Sequence, residues 1–176
     1  MSGLRPTVSV TARLWLLGGL SAVLFLLMAS HASPLQPTVV ELQFTYDRAA
    51  FLRIVEAWPA GGLARFKAHF AIDFPFLVAY GCFGYLLPRR TSLLRPLPAA
   101  VRSLLAWSLP LAAGLDALEN GLHLAIIADI AAAPDALFLL AGGVATAKWL
   151  LVATFVLGTA LALLLRLFHH SAATAD

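Results

Sequence analysis

The stretch LDALENGLHLAIIAD, residues 115–129, carries Asp116, Glu119, Asn120 and His123 within an otherwise apolar run. Their spacing is i, i+3, i+4 and i+7, so a helix gathers all four on one face. Two carboxyls beside an amide and an imidazole are the equipment of acid/base chemistry: one carboxyl donates a proton while the other accepts. Two further ionisable groups can join them, Asp73 in FAIDFPF and Lys148 in ATAKWLLV. Three carboxyls then share one obligate cation. Lys148 neutralises one and His123 can serve a second, which leaves at least one acid as a candidate for a neutral, proton-donating form. Glu119 and Asp116, with Lys148 as charge partner, are the candidate catalytic groups. Asp73, Asn120, His123 and Trp149 are the candidate ligand-binding groups.

The elements that must position these residues follow from hydropathy. Of the 176 residues 61% are hydrophobic and 12% charged, and mean hydropathy is +0.87; a soluble domain has about 45–50% apolar and about 25% charged residues. Four apolar runs, residues 14–30, 68–87, 103–128 and 137–165, suit a hydrocarbon core about 30 Å thick. In lipid such Leu/Ala-rich segments satisfy their backbones as helices, not as alternating barrel strands. The expected fold is all-α: one transmembrane domain, residues 1–176, forming a four-helix bundle with an amphipathic helix in the first external loop. An ionised group at mid-membrane costs about 2.5–3.5 kcal/mol even on lenient scales, so the polar face turns away from lipid.

Charge sets the expected orientation. The pI near 9.5 is not a nucleic-acid signal, because the basic residues flank spans and form no aromatic-interleaved patch. Arg5 and Arg13 precede the first span, Arg89, Arg90, Arg95 and Arg102 lie between the second and third, and Arg166 follows the fourth. The turn DIAAAPD between the third and fourth holds Asp129 and Asp135 and no base. The positive-inside rule then puts both termini in the cytoplasm, and the protein in the plasma (inner) membrane if it is bacterial. Counting about 1.5 Å per residue from the outer ends places Asp73, Glu119, Asn120, His123 and Lys148 in the middle-to-outer bilayer. They meet there in one pocket, and Pro75 allows the second span to bend at that level.

The first span imitates a secretory signal, with small residues Ser30 and Ala32 after the apolar run; the length of that run favours an uncleaved anchor. Cys82 is the only cysteine, so no intrachain disulfide and no multi-cysteine metal site can form. Glu119 and His123 with Asp73 make too weak a set to predict a metal. No cofactor is expected, since phosphate-loop, dinucleotide and Ser/His hydrolase signatures are absent. His169 and His170 read as solvated.

Residues 31–66 form the one sizeable loop. Thr38 and Glu41 have the spacing of a capping box. Val40, Phe44, Phe51, Val55 and Trp58 then recur near helical spacing until WPAGG, which predicts an amphipathic helix over about 38–58, lying in the headgroups or over the pocket as a lid.

The stretches ELQFTYDRAAFLRIVEAW, DFPFLVAYG, LDALENGLHL and KWLL resemble an uncharacterised group of small bacterial four-span membrane proteins, over residues from about 38 to 155. Four spans, an external first loop and the texture of FKAHFAIDFPF also resemble the EXPERA group, which includes sterol isomerases and sigma-2-type receptors. That second resemblance rests on architecture and assigns no catalytic set residue by residue.

The leading expectation is a pocket that binds a lipophilic small molecule and isomerises or otherwise modifies it by acid/base chemistry, lined by aromatics such as Phe74, Phe76, Tyr80 and Trp149. The alternative is an accessory or assembly subunit whose charges are structural ion pairs, with Ala113, Gly114 and Ala117 offering a small-residue surface to a partner subunit or a second copy. Proton-coupled transport ranks third: four spans are few and no inverted repeat is evident.

Overall fold

Apolar side chains at nearly every position leave the backbone of each run only its own carbonyls to bond, and the computed structural model is helical accordingly. It describes residues 9–173; Arg5 and the other residues of the first eight, and the side chains of His169 and His170, lie outside the described residues. The elements are α1 (Val10–Ala32), α2 (Val39–Gln43), α3 (Arg48–Ala57), α4 (Gly62–Arg90), α5 (Ala99–Ala128) and α6 (Asp135–Ala173), with no strand among the described residues. Thr11–Ala32, Gly62–Arg90, Ala99–Ala128 and Asp135–Phe168 are long and apolar enough to cross a membrane. The chain is an all-α membrane-embedded protein built on a four-helix bundle.

Local signals set the helix boundaries. Ser9 caps α1 by accepting the Ala12 N–H at 3.1 Å. Gly61, at φ +80°, supplies the left-handed residue from which α4 departs. Pro75 and Pro88 lie inside α4 and Pro110 inside α5, and both helices continue through them.

The bundle is a row: α1 packs along α4, α4 along α5 and α5 along α6. The outer pair, α1 and α6, makes no comparable contact, so the row stays open on one side. Close approach of α4 and α5 depends on small residues. A Cβ on Gly81 would stand 3.1 Å from that of Ala113, and one on Gly84 would collide with Leu109. Of the small residues offered as a contact surface under the accessory-subunit alternative, Ala113 and Ala117 are partly buried against the cluster of Leu109 and Ala112, and Gly114 has open space around it. Two apolar clusters bracket the middle. Phe51, Phe66, Phe70, Ile126 and Phe138 belong to one, and Leu77, Leu94, Leu105 and Phe155 to the other.

The segment between the first two spans is two helices, not one. The capping box of α2 is present, with the Thr38 N–H donating to Glu41 Oε2 at 2.6 Å and the Glu41 N–H to Thr38 Oγ1 at 3.2 Å. The helix then stops because Thr45 Oγ1 donates back to the Leu42 carbonyl at 2.7 Å and Asp47 caps α3 by accepting the Ala50 N–H at 2.7 Å. Phe51 and Trp58 are buried as the periodicity predicts, whereas Val40 and Phe44, ahead of or at the break, are exposed. The break seats Tyr46 on α6, where its hydroxyl lies 2.6 Å from Thr146 Oγ1.

Candidate functional site

The polar face of α5 turns inward as its spacing requires: Asp116, Glu119, Asn120 and His123 are all buried, as are Asp73 on α4 and Lys148 on α6. Lys148 Nζ donates to Asp116 Oδ1 at 2.9 Å and lies 2.6 Å from Glu119 Oε2. One ammonium thus holds two carboxyls from adjacent turns of α5, tying α6 to α5. Asn120 Nδ2 donates to Asp73 Oδ2 at 2.6 Å, which ties α5 to α4. The Tyr80 hydroxyl donates to Asp116 Oδ2 at 3.2 Å. Glu119 Oε1 accepts no hydrogen bond among the described residues, and His123 Nδ1 stands 3.7 Å away, beyond bonding distance. His123 instead packs its ring against Phe51 and Phe66.

Beside this cluster is a cavity of about 550 Å³, within the range of small-molecule sites, about 300–1,000 Å³. Its walls are apolar: Phe25 and Met28 of α1, Phe76 of α4, and Val152, Phe155 and Val156 of α6. Val39, Val40 and Gln43 of α2 cover one end, where the Trp149 indole N–H donates to Gln43 Oε1 at 3.0 Å. The polar part of the lining is His69, Asp73, Tyr80, Asp116 and Lys148. Phe25 and Val156, on the two helices that do not pack together, are both about half exposed and frame the open side.

The site residues expected from sequence therefore divide. Asp73, Asp116, Lys148 and Trp149 line the cavity, as do Phe76 and Tyr80 among the expected aromatics. Glu119, Asn120 and His123 do not reach its wall: Glu119 pairs with Lys148 and Asn120 bonds to Asp73 behind the lining, whereas His123 packs among Phe51 and Phe66, away from it. Phe74 faces outward from α4, and Cys82 is exposed on the same helix. Among the described residues no three His, Cys, Asp or Glu side chains form a group able to hold a metal ion.

His69 is the lining residue that sequence reasoning missed. It follows the rule applied to α5: His69, Asp73, Phe76 and Tyr80 are i, i+4, i+7 and i+11 on one face of α4. Its Nδ1 is engaged by the Phe66 carbonyl, an acceptor only, so that nitrogen carries the proton. In the neutral ring the other nitrogen, Nε2, is then an acceptor with no protein partner among the described residues. Asp73 Oδ1 is likewise without a protein donor there. A proton acceptor on one helix turn and a carboxyl on the next, in an apolar-walled cavity, can orient a ligand hydroxyl or exchange a proton with it. Models of known protein families, curated proteins and solved structures give no match to this chain.

Proposed function

We propose that the protein binds a lipophilic small molecule from the bilayer and holds its polar end among Asp73, His69 and Lys148, where acid/base modification such as isomerisation is chemically available. The observation that carries the reading is the cavity itself: apolar walls, a polar cluster in its lining, and an open side between α1 and α6, the two spans that do not pack together. Lys148 and Asp116 supply a buried ion pair at the wall, Glu119 stands behind them as a second acid, and Asn120 braces Asp73. In the proposed orientation both termini are cytoplasmic and α2 and α3 lie on the outer surface, in the plasma (inner) membrane if the protein is bacterial. The excess of arginine at the α4–α5 loop supports it.

A second reading has its own support. Lys148 pairs with both Asp116 and Glu119 inside the chain, as a structural ion pair in an accessory or assembly subunit would.

Native mass spectrometry of the purified chain separates the two. Under the first reading wild type retains a discrete lipophilic molecule, which Asp73→Asn weakens and Val156→Trp, a bulky plug at the open side, removes without loss of helicity. A wild-type protein that carries nothing and is polydisperse without partner subunits overturns it in favour of the second.

A further inference from the structure

A second surface, on the opposite faces of α4 and α5, stands apart from the cavity. Phe74, Val78, Cys82, Tyr85 and Arg89 follow one another at i, i+4, i+8, i+11 and i+15 along α4, whereas the cavity takes His69, Asp73, Phe76 and Tyr80. On α5 the matching face presents Leu104, Trp107, Leu111 and Leu118, all exposed. Tyr85 and Trp107 meet across the two helices edge to face, ring centroids 5.2 Å apart. The Arg89 guanidinium lies over Tyr85 at 4.5 Å and 5.9 Å from the Trp107 ring.

Arg89 belongs to a cluster. Arg90 and Arg95 follow in the chain, and Arg102 Nη1 donates to the Arg95 carbonyl at 3.5 Å. Arg166 reaches in from α6 to donate to Ser92 Oγ at 3.0 Å. No Asp or Glu occurs between residues 74 and 115, and none of these five arginines has a carboxylate partner among the described residues. Arg89, Arg90, Arg95 and Arg166 are exposed. Charge without a counter-ion, at the end of an exposed apolar face, matches both ends of one kind of molecule.

We infer that this face is a binding site for an anionic glycerophospholipid, whose phosphodiester sits on Arg89 and the neighbouring arginines while an acyl chain runs down the α4–α5 face past Trp107 toward Leu111 and Val78. Topology alone asks only for positive charge. The stacking of Arg89 on two aromatic rings asks for more, because it fixes a planar donor fork at the depth where aromatic residues meet headgroups. Each arginine near an anionic membrane surface is worth about 1 kcal/mol, or about fivefold in affinity.

The test uses the full chain, purified in non-ionic detergent and presented with equal phosphatidylglycerol and phosphatidylcholine in native mass spectrometry. Wild type retains phosphatidylglycerol in preference; Arg89→Gln cuts that retention about fivefold. Trp107→Leu, which leaves every charge in place, also lowers it, and Arg89→Lys lowers it less than Arg89→Gln. If Arg89→Gln does not fold, the last two variants carry the test. Equal retention of the two lipids by wild type overturns the proposal, as does retention unchanged in the Trp107 and Arg89 variants. Complete displacement by millimolar inorganic phosphate would assign the arginines to a free anion and overturn it as well. Efficient Cys82-to-Cys82 cross-linking between chains would give the face to a second copy instead.

Discussion

The side-chain amide of Asn120 donates to Asp73 Oδ2 at 2.6 Å across the α4–α5 packing, and both residues are buried. The bond fixes the rotamer of a cavity-lining carboxyl from a residue that never touches the cavity. Asn120→Ala removes the donor and leaves Asp73 with no protein partner. A loss of about 1–3 kcal/mol is expected, while Asp73→Asn, which can still pair with Asn120, loses less. Reversible unfolding in mixed micelles measures both.

Lys148→Met leaves Asp116 and Glu119 buried without their cation. Breaking such a pair costs about 3–5 kcal/mol. Adding Asp116→Asn and Glu119→Gln to Lys148→Met removes the stranded charges and restores most of the thermal stability. A triple variant no more stable than Lys148→Met would show that the bond geometry, not the uncompensated charge, dominates.

Gly142 and Gly143 are neighbours with opposite surroundings. A Cβ on Gly142 would stand 2.5 Å from the Thr45 carbonyl oxygen and 2.7 Å from the Tyr46 ring, whereas one on Gly143 meets nothing within 4 Å. Gly142→Ala therefore pushes the α2–α3 junction off α6 at a cost of about 1–3 kcal/mol. Gly143→Ala is neutral or stabilising by up to about 1 kcal/mol through helix propensity. Thermal melts of the two variants side by side check the contrast.

Arg48 latches the α5–α6 turn. Its guanidinium donates to the carbonyls of Ile130, Ala131 and Ala133 and pairs with Asp135 at 3.2 Å. Arg48→Met strands those carbonyls, and amide hydrogen exchange around residues 130–137 should quicken about tenfold, the equivalent of about 1.4 kcal/mol. Arg48→Lys rescues only part, because an ammonium cannot reproduce the planar fork.

The cap of α2 is pH-dependent. The Thr38 backbone N–H first, and its hydroxyl second, donate to Glu41 and hold its carboxyl below the usual glutamate range. A lowered folded value means the stabilisation is fully present above the unfolded pKa of about 4.3 and is lost as pH falls through the folded value. Acidification should loosen α2 over the cavity, read as a change in Trp149 fluorescence as its bond to Gln43 weakens. Glu41→Gln should abolish that transition; its persistence would place the titrating group elsewhere.

Much of the architecture is determined by the sequence alone, because lipid imposes one rule on every residue. Four apolar runs must be helices, and the i, i+3, i+4, i+7 spacing of Asp116, Glu119, Asn120 and His123 must turn inward. The same rule applied to α4 would have found His69. What periodicity cannot say is how deep on an inward face each residue lies. Only the tertiary arrangement put Asp116 on the cavity wall and Glu119 behind it, since that depends on where Lys148 of α6 reaches in and how closely Gly81 and Gly84 let α4 approach α5. The break between α2 and α3 is of the same kind. Thr38, Glu41 and the later aromatics mark a helical segment in the sequence. The bend at Thr45–Asp47 is set by local side-chain bonds and by a seat on Gly142, nearly a hundred residues away. Distant contacts of that sort carry no periodic signature, and they decide which polar residues meet the cavity.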